Sequence, residues 1–430
     1  MSTLMPLPPK IDIDFTDAAL TGTGGWSLLA RMAQRTGLLD ALGQSVRLKH
    51  RRRGASDAEM LWSLIASLAA GNGALSDLDA LRGDSTGQAL LGLSTVPSGR
   101  RRGEYLCRFG EADVTRLRAV AHRLARQVAP AVVEHCVSTQ GYVPVFVDGT
   151  AIEVDGRLFE QARKGYNGEP QYWLHNVFLG GLWASGHLHP GGVDVARGWA
   201  EQLAELATLL PADTPVWVRT DNAYYRGAFV RYCAQRGWDY SISVTHDNNR
   251  RPVLKQLEGL PERAWQDIGC GESATLVNHR PSGWQAQHYV VIRQLYDGPQ
   301  RRLTPAYTVI LVSRDDLPVE ELVRRHRGKQ GQENAFKGPL IDMDLHHPPC
   351  RRFHANQAFY ACGQIAQLLL LAVQYEWLPG RARRHGLRPL IRYLMRSVAR
   401  LVKTGRRYRL DFAKNNFRLD WLLHAAFQLE

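Results

Sequence analysis

A chain of 430 residues exceeds one compact core and predicts two or three domains. Its composition, 44% hydrophobic and 22% charged, excludes a disordered polypeptide. The 54 Lys and Arg against 41 Asp and Glu leave a net charge of +13, which points to a partner dense in negative charge.

That excess is concentrated. Residues 381–418 hold 13 Lys and Arg against one acid, Asp411, an asymmetry that favours a nucleic-acid surface over a merely soluble basic enzyme. The six cysteines form no CxxC pair. Neither a zinc ribbon nor a disulfide framework is indicated, and the reduced thiols of a cytosol fit best. The most apolar stretch, Ala358–Leu378, is interrupted by Gln364, Gln367 and Gln374. It reads as a buried core helix, so no membrane span is expected. The first residues lack the basic and apolar regions of a signal peptide.

Along the chain, residues 1–25 read as a loose lead-in. Helical periodicity runs from Trp26 to about Val137, over Trp26–Leu42, Ala58–Leu68, Leu75–Leu81 and Val114–Val132. Ser56-Asp57-Ala58-Glu59 has the form of a capping box. Residues 1–137 are therefore expected to form an all-helical domain with an N-terminal arm. Near Gly141 the pattern changes. Val143–Val147, Ile152–Arg157 and Tyr172–Leu188 read as three consecutive strands. A helix (Ala196–Leu210), a strand (Val216–Arg219), a helix (Tyr224–Arg236) and a strand (Trp238–Val244) follow. Three strands, then helix, strand, helix, strand is the order of a ribonuclease-H-like α/β core, here residues 138–245. Residues 246–315, with strands at Gln287–Leu295 and Tyr307–Val312, read as a β-rich insertion. Helix returns over 316–378 as the second part of the core. Residues 379–430 read as a basic helical C-terminal region for DNA binding or dimerisation.

Two strand-terminal acids stand out. Asp148 follows Val145-Phe146-Val147 and precedes Gly149-Thr150; Asp221 follows Val216–Thr220 and precedes Asn222. An acid at the end of a buried strand sits at a sheet edge, where sites form. Asp148 also reads as a turn residue before glycine, and Asp221 as a helix cap. In the expected fold the first and fourth strands are neighbours, so the two carboxylates meet despite their separation in sequence. Glu333 is the third candidate. With His326, Lys329 and Lys337 it falls at i, i+3, i+7 and i+11, one helical stripe, which reads either as a metal-binding acid among phosphate-holding cations or as a solvated face. Taken together, three carboxylates suit phosphodiester chemistry with two metal ions, and hard Mg²⁺ takes such oxygen ligands.

Three basic features accompany them. The stripe Arg388, Arg392, Arg396, Arg400, Lys403, Arg407, with Arg406 beside it, has helical spacing and reads as one helix with a phosphate-facing side. Lys49, Arg51, Arg52 and Arg53 form a second cluster, and Arg100, Arg101 and Arg102 a third. The third opens a helix, Gly103–Phe109, that reads as the groove-reading helix of a helix-turn-helix or as one member of a packed bundle with exposed arginines.

The chain resembles the bacterial insertion-sequence transposases with a DDE catalytic triad, specifically the transposase DDE domain, group 1 family. The resemblance covers most of the chain. It is carried by Gly25-Trp26-Ser27-Leu28-Leu29-Ala30-Arg31, Lys49–Gly54, Asp148-Gly149-Thr150, Arg219-Thr220-Asp221-Asn222, Gln332-Glu333-Asn334 with Lys337, and Phe353–Phe359. Related families carry a Tyr-Arg-Glu-Lys signature; here His326 stands where Tyr is usual and Lys329 where Arg is usual. The resemblance implies Asp148, Asp221 and Glu333 as catalytic metal ligands for two Mg²⁺ ions, with Mn²⁺ able to substitute. His326, Lys329, Lys337 and Arg327 would lie against phosphates. It implies a bacterial cytoplasmic protein acting as a homodimer on double-stranded DNA, binding terminal inverted repeats, cutting, and joining 3′-OH ends to target DNA. A nuclease of the same fold without strand transfer and a non-catalytic DNA-binding descendant are the alternatives.

Overall fold

The structure, a computed structural model, describes residues 16, 18–49, 53–156, 158–165, 168–297, 300–328 and 335–428. It is a mixed α/β protein. After the two-residue strand β1 (Leu20–Thr21), the N-terminal third is helical: α1 (Trp26–Arg35), α2 (Leu38–Ser45), α3 (Asp57–Ala69), α4 (Leu78–Gly83), α5 (Ser85–Leu91), α6 (Gly99–Leu106) and the long α7 (Glu111–Gln140). The helix expected over Trp26–Leu42 is broken into α1 and α2, because Gly37 takes φ +63° between them, a conformation that favours glycine. The capping box of α3 forms. Glu59 N–H donates to Ser56 Oγ, and Ser56 N–H donates to the Glu59 carboxylate at 2.7 Å.

The centre is one ten-stranded sheet. Its first half comprises β2 (Val143–Glu153), β3 (Arg163–Lys164), β4 (Pro170–Leu179), β5 (Leu182–His189), β6 (Val216–Thr220) and β7 (Asp239–Val244). Helix α8 (Trp199–Ala207) lies between β5 and β6, and α9 (Gly227–Gln235) between β6 and β7. The main strands run β5-β4-β2-β6-β7, antiparallel from β5 through β4 to β2 and parallel from β2 through β6 to β7. Of the three consecutive strands expected, Ile152–Arg157 does not form one of its own, and three main strands result only because the third divides. The first extends through Ile152 to Glu153, and Tyr172–Leu188 splits into β4 and β5 at Gly180-Gly181, Gly180 having φ +56°.

After helix α10 (Asp247–Leu254), strands β8 (Gln266–Gly269), β9 (Glu272–His279), β10 (Gln287–Asp297) and β11 (Gln300–Val312) continue the same sheet, because β11 pairs antiparallel with β7. Helix α11 (Val319–Arg327) follows, then the buried α12 (Phe353–Trp377), α13 (Leu387–Leu390), the hairpin β12 (Ala399–Thr404) and β13 (Arg407–Phe412), and α14 (Leu419–Phe427).

Two facts tie the ends together. Strand β1 pairs with β12, Leu20 opposite Arg400. A single apolar cluster also runs from Trp26 through the sheet and α12 to Ala425. Helix α12 is the one described helix long and apolar enough to cross a membrane, and its apolar window is wholly buried inside the chain. Its glutamines have structural partners. Gln364 donates to the carbonyls of Trp183 and Ala184, and Gln367 accepts from Trp183 N–H and donates to Gly181 O. They close the β4–β5 turn against the helix. Gln367→Leu leaves a buried N–H and a carbonyl unpaired, so we expect a loss of about 2–4 kcal/mol in denaturant unfolding; an unchanged midpoint would contradict this packing.

The C-terminal region departs most from expectation. The basic stripe is not one helix. A helical turn covers Leu387–Met395, and then Arg400, Lys403, Arg406 and Arg407 lie on the β12–β13 hairpin. The turn Thr404–Arg407 is made by Gly405 at φ +60°, and the run Leu401-Val402 supplies β-branched and apolar residues to the ladder. Arginines spaced four apart do not by themselves distinguish the two.

Candidate functional site

The sheet sets the geometry of the two acids. Phe146 of β2 stands level with Arg219 of β6 on adjacent parallel strands. Asp148 and Asp221 each follow two residues later, at the same offset on neighbouring strands at the carboxyl edge. Between them in sequence lie β3, β4, β5 and α8. Asp221 caps the short turn after β6, its Oδ1 accepting from Ala223 N–H at 3.0 Å, whereas the helix that follows starts only at Gly227. Asp148 is no turn residue, because β2 runs straight through it. The following Gly149 is required by a close approach instead: a Cβ there would lie 2.7 Å from Val195 Cγ1 and 2.9 Å from Val195 O.

The turn after Asp221 is held from several sides. Asn222 Oδ1 accepts from the N–H groups of Thr245 and His246 at 2.9 and 3.3 Å. Arg226 grips Asp194 with two bonds of 2.6 and 2.7 Å. The Tyr225 ring stacks on Trp284, and its hydroxyl meets that of Tyr289 at 2.7 Å. Tyr224 is fully buried, and its hydroxyl shares a 2.6 Å hydrogen bond with His175 Nε2. Burial first, then the charges of Asp148 and of Asp221, push the Tyr224 hydroxyl well above its usual range.

His175 heads a cluster with His187 and His189 on the face covered by α8. Burial pulls His175 and His189 down to about 4 and His187 well below its usual value, so all three are neutral at pH 7. Unfolded imidazoles titrate near 6.5. Below that pH the unfolded chain binds the extra protons, so the stability held by neutral imidazoles is complete above about 6.5 and is lost as pH falls toward 4. We expect the thermal midpoint to drop by several degrees between pH 7 and pH 5, and to drop less in His189→Gln. Equal slopes in the two proteins would contradict the assignment.

The other expected site residues fall in different places. Glu333 and Lys329 lie outside the described residues, as do Arg51 and Arg52. His326 Nε2 lies 3.0 Å from Ser243 Oγ. Arg327 makes two bonds to Glu272 of β9. Lys337 borders the cleft that contains Phe146 and Arg219. Arg102 is a correction. It is wholly buried, donating to Ser63 Oγ at 2.5 Å within the helical core, so it faces no DNA. Arg100 and Arg101 are exposed and share Glu104. The Lys49 ammonium is folded onto the carbonyls of Arg53 and Ala55, and Arg53 is exposed. Arg388 pairs with Asp342, and Arg396 bonds Ala70 O, Gly71 O and Asn72. Arg392, Arg400, Lys403, Arg406 and Arg407 are exposed.

Sequence reasoning missed three residues at the site. Asn176 stands directly opposite Asp148 on β4, His175 lies beneath Tyr224, and Arg219 packs over Phe146. Only Arg219 had a local signal, its place two residues before a strand-end acid.

A mixed α/β protein with paired strand-end acids and several exposed basic segments is the class these observations define. Residues 7–430, essentially the whole chain, match the transposase DDE domain group 1 family, and the chain belongs to that family. Membership assigns a transposase function, DNA as its partner and a general dependence on divalent metal. No curated protein matches the chain.

Proposed function

We propose that the protein is a DDE transposase with a ribonuclease-H-like core, which binds the terminal inverted repeats of an insertion sequence, cuts the DNA there and joins the 3′-OH ends to target DNA. The observation that carries this reading is the placement of Asp148 and Asp221 at equal offsets on neighbouring parallel strands. The strand order β5-β4-β2-β6-β7, three antiparallel strands followed by two parallel ones, supports the core assignment.

Glu333 is proposed as the third acid. The described residues on either side of its segment support this. Gly328 sits against the Arg219 guanidinium, and Phe336 packs on Phe178 with ring centroids 4.9 Å apart. Phe178 is level with Phe146 on the face that bears Asp148. The donor set is hard carboxylate oxygen, which suits Mg²⁺ with Mn²⁺ able to replace it. Bound there by Asp148, Asp221 and Glu333, two such ions would activate the attacking hydroxyl and stabilise the leaving oxygen. The protein's part is to hold the carboxylates fixed. The Tyr224–His175 bond and the Asn222, Tyr225 and Arg226 contacts anchor the chain on which Asp221 rides. The exposed cations at Arg53, Arg100, Arg101 and along the β12–β13 hairpin are proposed to bind the phosphate backbone, and a homodimer is proposed to hold the two ends.

The test is incubation with Mg²⁺ and a duplex carrying the element's own ends, resolved on a denaturing gel. Metal-dependent cuts at the element boundary, followed by joining of precleaved ends to plasmid, are expected. Cuts without joining would favour a nuclease; binding without cuts at any metal concentration would overturn the enzymatic reading.

A further inference from the structure

The seam between α6 and α12 brings two thiols together. Cys107 closes α6, its N–H donating to Gly103 O at 3.0 Å. Cys350 lies three residues ahead of Phe353, the first residue of α12. The two helices pack on each other. Leu106 of α6 and Phe353 of α12 are both buried, and Arg102 of α6 is a neighbour of Cys362 of α12. Further along α6, Cys107 meets the segment just ahead of α12. There the Cys350 thiol shares a hydrogen bond with the Cys107 thiol.

Both backbones are held. Cys107 is fixed by the last turn of α6. The side chain of Asn356 grips Cys350 on both sides, its Oδ1 accepting from Cys350 N–H at 3.0 Å and its Nδ2 donating to Cys350 O at 2.7 Å. Sulfurs already in contact on fixed backbones need only side-chain rotation to reach disulfide geometry. The two thiols differ in exposure: Cys107 is exposed and Cys350 is buried. Burial first, then the neighbouring Cys107, pushes the Cys350 thiol up to about 12, so it stays protonated at neutral pH. Cys107 is therefore the thiol that an oxidant reaches first. An accessible thiol beside a second, resolving thiol is the arrangement of a reversible oxidation site. The other buried thiols have neighbours of a different kind: Gln140 for Cys136, Arg236 for Cys233 and Arg102 for Cys362.

We propose that Cys107 and Cys350 are a modification site, forming a reversible disulfide when the protein meets a peroxide and tying the end of α6 to the residues that lead into α12. The Cys107 sulfur attacks one peroxide oxygen, the O–O bond breaks, and sulfenic acid and one water result. The Cys350 sulfur then attacks the sulfenic sulfur. The S–O bond breaks, the S–S bond forms, and the Cys350 proton leaves with the hydroxyl as a second water. Two thiols lose two electrons in all, and the peroxide takes them. A dithiol reductant restores both thiols by exchange. The bond closes a loop that contains α7 and the whole ten-stranded sheet, and constraining so long a loop in the unfolded chain stabilises the folded one. The inference stands apart from the transposase reading and does not depend on it.

The test treats the reduced full chain with hydrogen peroxide, alkylates the remaining thiols with a maleimide under denaturing conditions, and maps tryptic peptides by mass spectrometry without reduction. Cleavage after Arg102, Arg108, Lys337 and Arg351 places Cys107 on peptide 103–108 and Cys350 on peptide 338–351. The expected result is these two peptides joined as the main product, with two of the six thiols lost, the chain still monomeric on a non-reducing gel, and both thiols recovered after dithiothreitol. The thermal midpoint of the oxidised protein should rise by about 3–8 °C and return on reduction. Cys107→Ser, a change at an exposed position, should show neither the link nor the rise. In Cys350→Ala the Cys107 thiol should instead advance to sulfinic acid. The map of the unmutated protein decides even if Cys350→Ala fails to fold. Cys107 driven to sulfinic acid in the unmutated protein while Cys350 remains alkylated would overturn the proposal. So would Cys107 linked mainly to another cysteine or to a second chain, or an equal rise in midpoint in Cys107→Ser.

Discussion

Asp148→Asn and Asp221→Asn should each lower the cleavage rate by at least about three orders of magnitude while leaving end binding within a few-fold. The change removes one charge and almost no volume, so it isolates the carboxylate from the packing. Asp221→Asn keeps an oxygen to cap Ala223 N–H, which preserves the turn. The two losses should not add, because both acids serve one site. Asp155→Asn is the comparison. Asp155 follows the end of β2, seven residues beyond Asp148, and its loss should leave cleavage unchanged. A gel that shows wild-type cutting in either site variant, or an equal loss in Asp155→Asn, would remove the pair from the chemistry.

The second large effect concerns stability. Gly25→Ala should destabilise the protein by about 2–3 kcal/mol. A Cβ at this position would lie 2.2 Å from Leu394 O and 2.6 Å from Met395 Cα, and backbone cannot rotate aside as a side chain can. Gly24 is nearly as tight, with an added Cβ 2.7 Å from both Ala399 Cβ and the Phe412 ring. These glycines let the start of α1 rest on the C-terminal region, and Trp26 then reaches in to donate to Ala66 O at 2.9 Å. Denaturant unfolding checks the prediction. Gly83→Ala, where nothing lies within 4 Å of an added Cβ, should stay within about 0.5 kcal/mol of wild type. Equal midpoints for Gly25→Ala and wild type would contradict the close approach.

The contacts of Gly25 also show what kind of information the sequence holds. The segment Gly25–Arg31 reads as a family motif, yet its reason is steric and involves a partner hundreds of residues away. Phe353–Phe359 is similar. There Asn356 bonds both the N–H and the carbonyl of Cys350, and Gln357 donates to Leu188 O, so part of that motif closes a loop onto α12. The strands ending in acids are legible because Val145–Val147 and Val216–Val218 are short apolar runs before a polar residue. The continuation of β2 past Asp148 is not, because Gly149-Thr150 has the composition of a turn, and only the approach of Val195 explains the glycine. The C-terminal hairpin escapes the sequence for a related reason. Arginines four apart fit a helix, but the hydrogen bonding is decided by Gly405 and by pairing with β13 and β1. Arg102 shows the limit for charge counting: three consecutive arginines read alike, and the fold buries one of them. The Tyr224–His175 bond joins residues 49 apart, and no local pattern announces it.

Asp148 and Asp221 are proposed to share one divalent-cation site. Replacing Mg²⁺ by Fe²⁺ and generating hydroxyl radicals with ascorbate and peroxide would cut the polypeptide next to bound iron. Fragments ending near residues 148 and 221 together are expected, with a third cut near 333, all suppressed by excess Mg²⁺ and all lost in Asp148→Asn. Cuts at only one of the two strand ends, or cuts that persist unchanged in Asp148→Asn, would contradict it.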